Sequence, residues 1–440
     1  MTADSLSARL NRLRAQIQNL ESRPKRGLVL RVTGSLIRGA LPGARLGELC
    51  RLRDRGLSEP LLAEVVGLEG AEIILAPLGE LLGLSTDAEV ERTNEVLRVP
   101  VGNALLGHVL DGLGRPLDGA VLTSCSLRAL HSAPPPALQR RLVDKVLPVG
   151  VRTIDGLMTC AEGQRLGIYG EPGGGKSTLL ASLVRGAQVD VVVVALVGER
   201  GREVRDFIER QLDAKARNRT VFVVATSDRP AVERVKASYT ATTIAEEFRD
   251  RGMRVLLVMD SVTRFARALR EIGLAAGEPP TRRGFPPSVM AELPRLLERA
   301  GPAASGSITA FYTVLVEGDG AGDPVAEETR SILDGHIVLS PSLASSGHYP
   351  AIDVLASRSR VMDAVTDSSH RARAARVREL LHLYSEIEFL VQVGEYKSGA
   401  DPRTDAALAS IEPIRSFLRQ ASTEVSSLQE TQNWLARLTD

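Results

Sequence analysis

Gly170-Glu171-Pro172-Gly173-Gly174-Gly175-Lys176-Ser177 is a complete GxxxxGK[ST] loop. The run before it, Gln164 to Tyr169, reads as a short buried strand, and Thr178 to Arg185 reads as the opening of a helix. A strand, a glycine-rich turn and a helix in that order form a phosphate cradle. Gly170, Gly173, Gly174 and Gly175 let successive N–H groups turn inward toward phosphate oxygens, and the helix start behind them adds the positive end of its dipole. Lys176 then reaches the β- and γ-phosphates and the Ser177 hydroxyl holds Mg²⁺, with Thr178 completing the binding set. The expected ligand is a nucleoside triphosphate.

Outward from the loop, near-continuous apolar runs alternate with amphipathic ones. Strands are expected at Arg165 to Tyr169, Asp190 to Val197, Val221 to Ala225, Val255 to Met259, Ile308 to Val316 and His336 to Leu339, with helices such as Glu203 to Leu212 and Ser238 to Arg251 between them. This pattern predicts an α/β fold with a mostly parallel sheet covered on both faces. Ligands of such sheets sit beyond the carboxyl ends of the strands, where Gly170, Glu199 and Asp260 all fall. Asp260 ends the run Val255-Leu-Leu-Val-Met-Asp260 and is placed to share the Mg²⁺ with Ser177. Val197-Gly-Glu-Arg-Gly-Arg-Glu203 supplies two acids past another strand tip. Glu199, nearer the strand end, is the candidate for polarising the attacking water. Glu203 reads as an exposed acid in the first turn of a helix.

The flanks differ in character. Leu6, Leu10, Leu13, Ile17 and Leu20 form an a/d stripe, which predicts an amphipathic helix over residues 1–26 that docks on a partner or packs on its own domain. Short alternating runs broken by glycine from Leu28 to about Val101 suggest a small antiparallel barrel, assigned to residues 27–98. The α/β domain then covers 99–364. From 365 to 440 the pattern is helical, Arg371 to Val393 and then Asp405 to Leu438. The 440 residues carry 55 Lys+Arg against 54 Asp+Glu, a net charge of +1, so nothing in the composition calls for a nucleic acid or an anionic membrane. Cys50, Cys125 and Cys160 have neither disulfide nor zinc spacing. The longest apolar run, Val191 to Val197, falls far short of the roughly 20 residues that span a bilayer, and the amino terminus lacks a signal-peptide block. These features fit a cytoplasmic enzyme.

The loop at 170–177, Val197-Gly-Glu-Arg-Gly-Arg-Glu203 and Asp260-Ser-Val-Thr-Arg-Phe-Ala266 resemble the catalytic subunits of the rotary ATPases, F-type and V-type. Gly107-His-Val-Leu-Asp-Gly-Leu-Gly-Arg-Pro-Leu-Asp-Gly119, Glu271-Ile-Gly-Leu-Ala-Ala-Gly-Glu-Pro-Pro280 and Ser331-Ile-Leu-Asp-Gly-His-Ile-Val-Leu339 narrow the likeness to the ATPases of type III protein export. Leu157-Met-Thr-Cys-Ala-Glu-Gly-Gln-Arg165, Lys176-Ser177-Thr178 and the short amino-terminal region look more like the injectisome form than the flagellar one.

The resemblance implies a RecA-like P-loop core between a β-barrel and a helical domain. It implies Mg²⁺-dependent ATP hydrolysis that releases effectors from chaperones and unfolds them for secretion, or, in the alternative, flagellar protein export. A hexameric nucleic-acid translocase or a non-catalytic ring subunit fits less well, since aromatic residues are 3% of the chain and Lys176 and Glu199 occur together. The implied assembly is a homohexamer. Its implied partners are a stator protein on the amino-terminal helix, a central stalk, chaperone–effector complexes and an export gate, at the cytoplasmic face of the bacterial inner membrane. By the same likeness Arg200 contacts the γ-phosphate, Tyr349 stacks on adenine, and Arg360 is the arginine finger entering a neighbour's site, with Arg358 its nearest rival. Glu171 and Pro172 depart from the small or apolar residues usual there, and a carboxylate beside a polyphosphate disfavours binding unless it faces solvent.

Overall fold

The structure, a computed structural model, describes residues 26–317, 320, 322–397, 399 and 401–439. The helix expected over 1–26 lies outside the described residues, save for Arg26. The chain forms two compact units that meet in sequence at Leu97 and Arg98.

In the first unit six antiparallel strands, Arg26–Thr33, Leu36–Ala40, Glu48–Arg53, Leu61–Glu69, Glu72–Pro77 and Glu89–Val96, close into a barrel in the order first, second, fifth, fourth, third, sixth. Side chains alternate across each strand, so Val29, Ile37, Leu52, Val65, Leu75 and Val90 fill the interior.

The second unit is built on a sheet that runs Ile352–Ser359, Gly335–Leu339, Arg165–Gly170, Ser307–Leu315, Arg254–Asp260, Val191–Val197, Thr220–Ala225, Val109–Asp111. Every neighbouring pair along that path is parallel except the first, and a short strand, Gly301–Pro302, pairs antiparallel with Ser307–Leu315. All seven residues of Val191–Val197 are buried, as expected of a strand covered on both faces. The edge strands Val109–Asp111 and Ile352–Ser359 were not among the expected ones. The former is three residues inside a glycine-rich motif, and the latter is half exposed and carries Arg358, so neither has the apolar signature of the interior strands. A two-stranded ribbon, Arg98–Val101 with Ser126–Ala129, also lies outside the sequence reading.

Register aligns the strand tips that carry the candidate site residues. Leu196 pairs with Asp260, Met259 with Tyr312, and Gly170 with Leu315, so the ends of four central strands share one edge.

Three long helices, Ser368–Gln392, Pro402–Leu418 and Leu428–Thr439, pack on the buried helix Arg152–Leu157 through Leu157, Val377, Leu380, Ile414, Phe417 and Leu435. The single helical stretch expected from Asp405 to Leu438 is therefore two helices, broken at residues 419–427. Among the described residues no helix is long and apolar enough to cross a membrane.

Candidate active site

The phosphate loop leaves strand Arg165–Gly170 and enters helix Lys176–Gly186. Gly175 caps that helix at φ 81°, a left-handed conformation that any side chain would strain. A Cβ there would also meet the Tyr349 ring at 3.2 Å, which places Tyr349 directly over the loop. Ser177 and Thr178 are exposed at the helix start. Lys176 is buried, and its Nζ donates to the carbonyl oxygens of Gly170 (2.9 Å) and Glu171 (2.7 Å). Burial lowers the pKa of its ammonium, while the charges of Asp260 and Glu199 oppose that shift. Lys176, Asp260 and Glu199 thus form one electrostatic cluster at the strand tips. Pro172 is exposed on the rim and Glu171 half-buried.

Asp260 is 6% exposed at the end of its strand. Thr313 Oγ1 donates to Asp260 Oδ1 at 2.6 Å and fixes the carboxylate's orientation. Burial raises its pKa, opposed by the Thr313 hydrogen bond and the Lys176 charge. Among the described residues no group of three or more His, Cys, Asp or Glu side chains is placed to hold a metal. A lone carboxylate and a hydroxyl beside a phosphate cradle suit Mg²⁺, which keeps several waters and borrows oxygens from substrate phosphates.

Glu199 follows Gly198 at the end of Val191–Val197, with its side chain 14% exposed. Arg264 Nε donates to Glu199 Oε1 at 2.9 Å. The Arg264 stem lies against Gly198, where a Cβ would come within 2.6 Å of Arg264 Cδ and where φ is 70°, so a glycine is required on both counts. Burial, joined by the Asp260 charge, pushes the Glu199 pKa up to about 7, and Arg264 opposes both. Nothing in the sequence reading marked Arg264 or Thr313. Arg264 stands inside the quoted Asp260 to Ala266 run, and its spacing of four from Asp260 was the available signal. A base must be ionised to act, so kcat/KM is expected to rise with pH through about 7, the value burial gives Glu199. Replacing Arg264 by Gln removes an opposing charge and moves that limb to higher pH, which a pH–rate profile of the two proteins measures.

The remaining sequence candidates lie apart. Arg200 is 71% exposed and pairs with Glu203 at 3.3 Å, on the helix start beyond Glu199. Arg360 is exposed, its N–H donates to Asp334 O (2.9 Å) and its Nη2 to Arg330 O (3.0 Å). Its strand runs antiparallel, so Ser359 pairs with Gly335 at the end of the sheet where Arg165 begins, whereas Gly170 ends the same strand at the cradle. Five residues of extended chain, roughly 17 Å, separate those two edges. Arg360 and Lys176 of one chain are at opposite ends of the sheet. Arg358, opposite His336, shares that distal end.

Beside the loop a cleft is lined by Val151, Thr178, Leu179, Tyr349, Pro350 and Ala421. The turn after helix Pro402–Leu418 supplies its far wall, and the Gln420 N–H donates to Tyr349 O at 2.9 Å. The sequence reading missed this wall because it lay inside the stretch read as one helix.

A glycine-rich loop between strand and helix, a lysine within it and acids on adjacent strand tips define a P-loop nucleoside triphosphatase. Residues 150–359 match the nucleotide-binding domain of the ATP synthase alpha/beta family, residues 29–94 its beta-barrel domain, and residues 366–437 the T3SS EscN ATPase C-terminal domain. A type 3 secretion system ATPase of Sinorhizobium fredii is 57% identical over 435 residues, 99% of this chain and 96% of that protein. The solved structure of the assembled ATPase EscN from enteropathogenic E. coli superposes with a TM-score of 0.89 at 46% identity, covering 94% of this chain and 100% of that one. EscN in complex with its central stalk EscO gives 0.87 at 45%, with the same coverage. The chain belongs to the type III secretion ATPases of the ATP synthase alpha/beta family.

Proposed function

We propose that this chain hydrolyses Mg²⁺-ATP at the interfaces of a homohexamer and so energises type III secretion. The observation that carries the reading is the separation of Arg360 from the cradle of its own chain, which leaves that arginine to serve the site of an adjacent copy. The cradle N–H groups and Lys176 bind the β- and γ-phosphates, and Arg200 swings from Glu203 to the γ-phosphate. Ser177 and Asp260 would hold Mg²⁺, whose chemistry when bound would be to neutralise charge on the phosphates. Glu199, aimed by Arg264, orients the attacking water and accepts its proton. Tyr349 stacks on adenine. Arg360 of the next copy meets the charge of the transition state.

Hydrolysis drives the carboxy-terminal helices, releasing effectors from their chaperones and unfolding them at the export gate on the cytoplasmic face of the inner membrane. The named neighbours support a central stalk in the ring, as EscO is for EscN. The stator's seat is the amino-terminal segment, residues 1–26. Identity of 57% to a type 3 secretion ATPase across 99% of the chain favours the injectisome over the flagellar form. Specific ATPase activity is expected to climb steeply with protein concentration as rings assemble. Phosphate release measured across a dilution series, alongside the mass in solution, tests this. Full activity in a verified monomer would falsify the shared site.

A further inference from the structure

Arg152 opens the buried helix Arg152–Leu157 and is itself 4% exposed, so its charge demands partners. It finds them in one place. Nε donates to Phe417 O (3.1 Å), Nη2 to Arg419 O, and Nη1 to Ser426 Oγ (3.0 Å) and the Glu424 carboxylate. Its neighbour Thr153 donates through Oγ1 to Leu418 O at 3.2 Å. Phe417, Leu418 and Arg419 carry the last carbonyls of helix Pro402–Leu418, groups that have no intrahelical donor. A cation at that end also meets the negative pole of the helix. The helix ends on Arg419 in an extended conformation, with no glycine or asparagine to close it. A side chain some 265 residues earlier in sequence does so instead.

The same contacts hold the next turn. The Arg152 N–H donates to Gln420 Oε1 (2.8 Å), while Gln420 Nε2 donates to Gly150 O (2.8 Å) and Glu424 O (3.0 Å). On its other side that turn lines the cleft beside the phosphate loop, hydrogen-bonded to Tyr349 O through Gln420 and to Ser182 Oγ through Ser422 O (3.0 Å).

We infer that Arg152 is a positioning residue of the nucleotide site: it caps helix Pro402–Leu418 from outside and thereby fixes the Gln420–Ser422 wall against Tyr349. This rests on the reading of the Tyr349 cleft as the base slot. The side-chain hydrogen bonds of Arg152 go to residues 417, 419, 424 and 426 and none to the loop at 170–177, so its loss is expected at the base end.

The test compares ADP with inorganic pyrophosphate, each with Mg²⁺, by calorimetry on the full chain. Arg152→Met keeps the buried stem and the backbone N–H to Gln420 while removing every side-chain donor. ADP binding is expected to weaken roughly tenfold while pyrophosphate stays within about twofold, and Arg152→Lys, which lacks the fork, to fall between. Unchanged ADP affinity, or equal weakening of both ligands, overturns the proposal. Should Arg152→Met fail to fold, as read from far-ultraviolet circular dichroism, Ser426→Ala with Glu424→Gln replaces it. That pair is judged by the same selective loss. If the unaltered chain binds ADP no better than pyrophosphate, the base-slot reading itself fails, an outcome distinct from a wild-type preference that survives the substitution.

Discussion

A mixture of Lys176→Ala and Arg360→Ala chains is expected to hydrolyse ATP where neither variant does so alone. Lys176 sits inside the cradle, its ammonium held 2.7 to 2.9 Å from two loop carbonyls, so its truncation removes the charge proposed to face the β- and γ-phosphates. Arg360 lies at the far end of the sheet, beyond reach of that cradle. A finger of this kind accounts for about 10³ to 10⁵ in rate where phosphoryl transfer depends on one, so each variant alone falls near background. In a ring with head-to-tail contacts, about a quarter of the interfaces in an equal mixture join an intact cradle to an intact finger. Activity near that fraction of wild type, with mixing of subunits verified by mass, is the expected reading. Its complete absence in proven mixed rings would remove the donated finger. Arg358→Ala serves as the control: it shares the distal end, and an equal loss there, with Arg360→Ala active, transfers the role.

The second large effect is on Glu199→Gln. Gln keeps the shape and can still accept from Arg264 but cannot take a proton, so kcat is expected to fall by about 10² to 10⁴. Binding of ATP should change little or tighten, since a carboxylate that crowds Asp260 has been neutralised. Glu203→Gln is the comparison. Glu203 is 43% exposed and paired with Arg200, so its loss should leave kcat within about twofold. Single-turnover kinetics separate the two effects. Equal losses in both variants would show that neither acid alone is the base.

Much of this site is written locally in the chain. The loop at 170–177 and the acids at 199 and 260 announce themselves because a phosphate cradle needs glycines at fixed spacing and because buried parallel strands run apolar until they stop. Arg264 and Thr313 are invisible at that level: one lies over Gly198 from a following helix, the other reaches Asp260 from the neighbouring strand. The break at 419–427 escaped for a related reason. Helices usually end on a residue that cannot continue them, whereas here Arg152, from a distant stretch, joins Gln420 and Glu424 of the break itself to close the end. The antiparallel strand Ile352–Ser359 hid because an edge needs no unbroken apolar run, yet its direction is what carries Arg360 away from its own cradle.

That strand direction reaches beyond kinetics. If every copy lends its arginine forward and borrows another from behind, a copy that lacks both its cradle lysine and its arginine spoils two reaction centres instead of one. A cell that makes normal protein and the double variant Lys176→Ala/Arg360→Ala side by side should then lose export out of proportion to the dose, and the altered gene should behave as dominant.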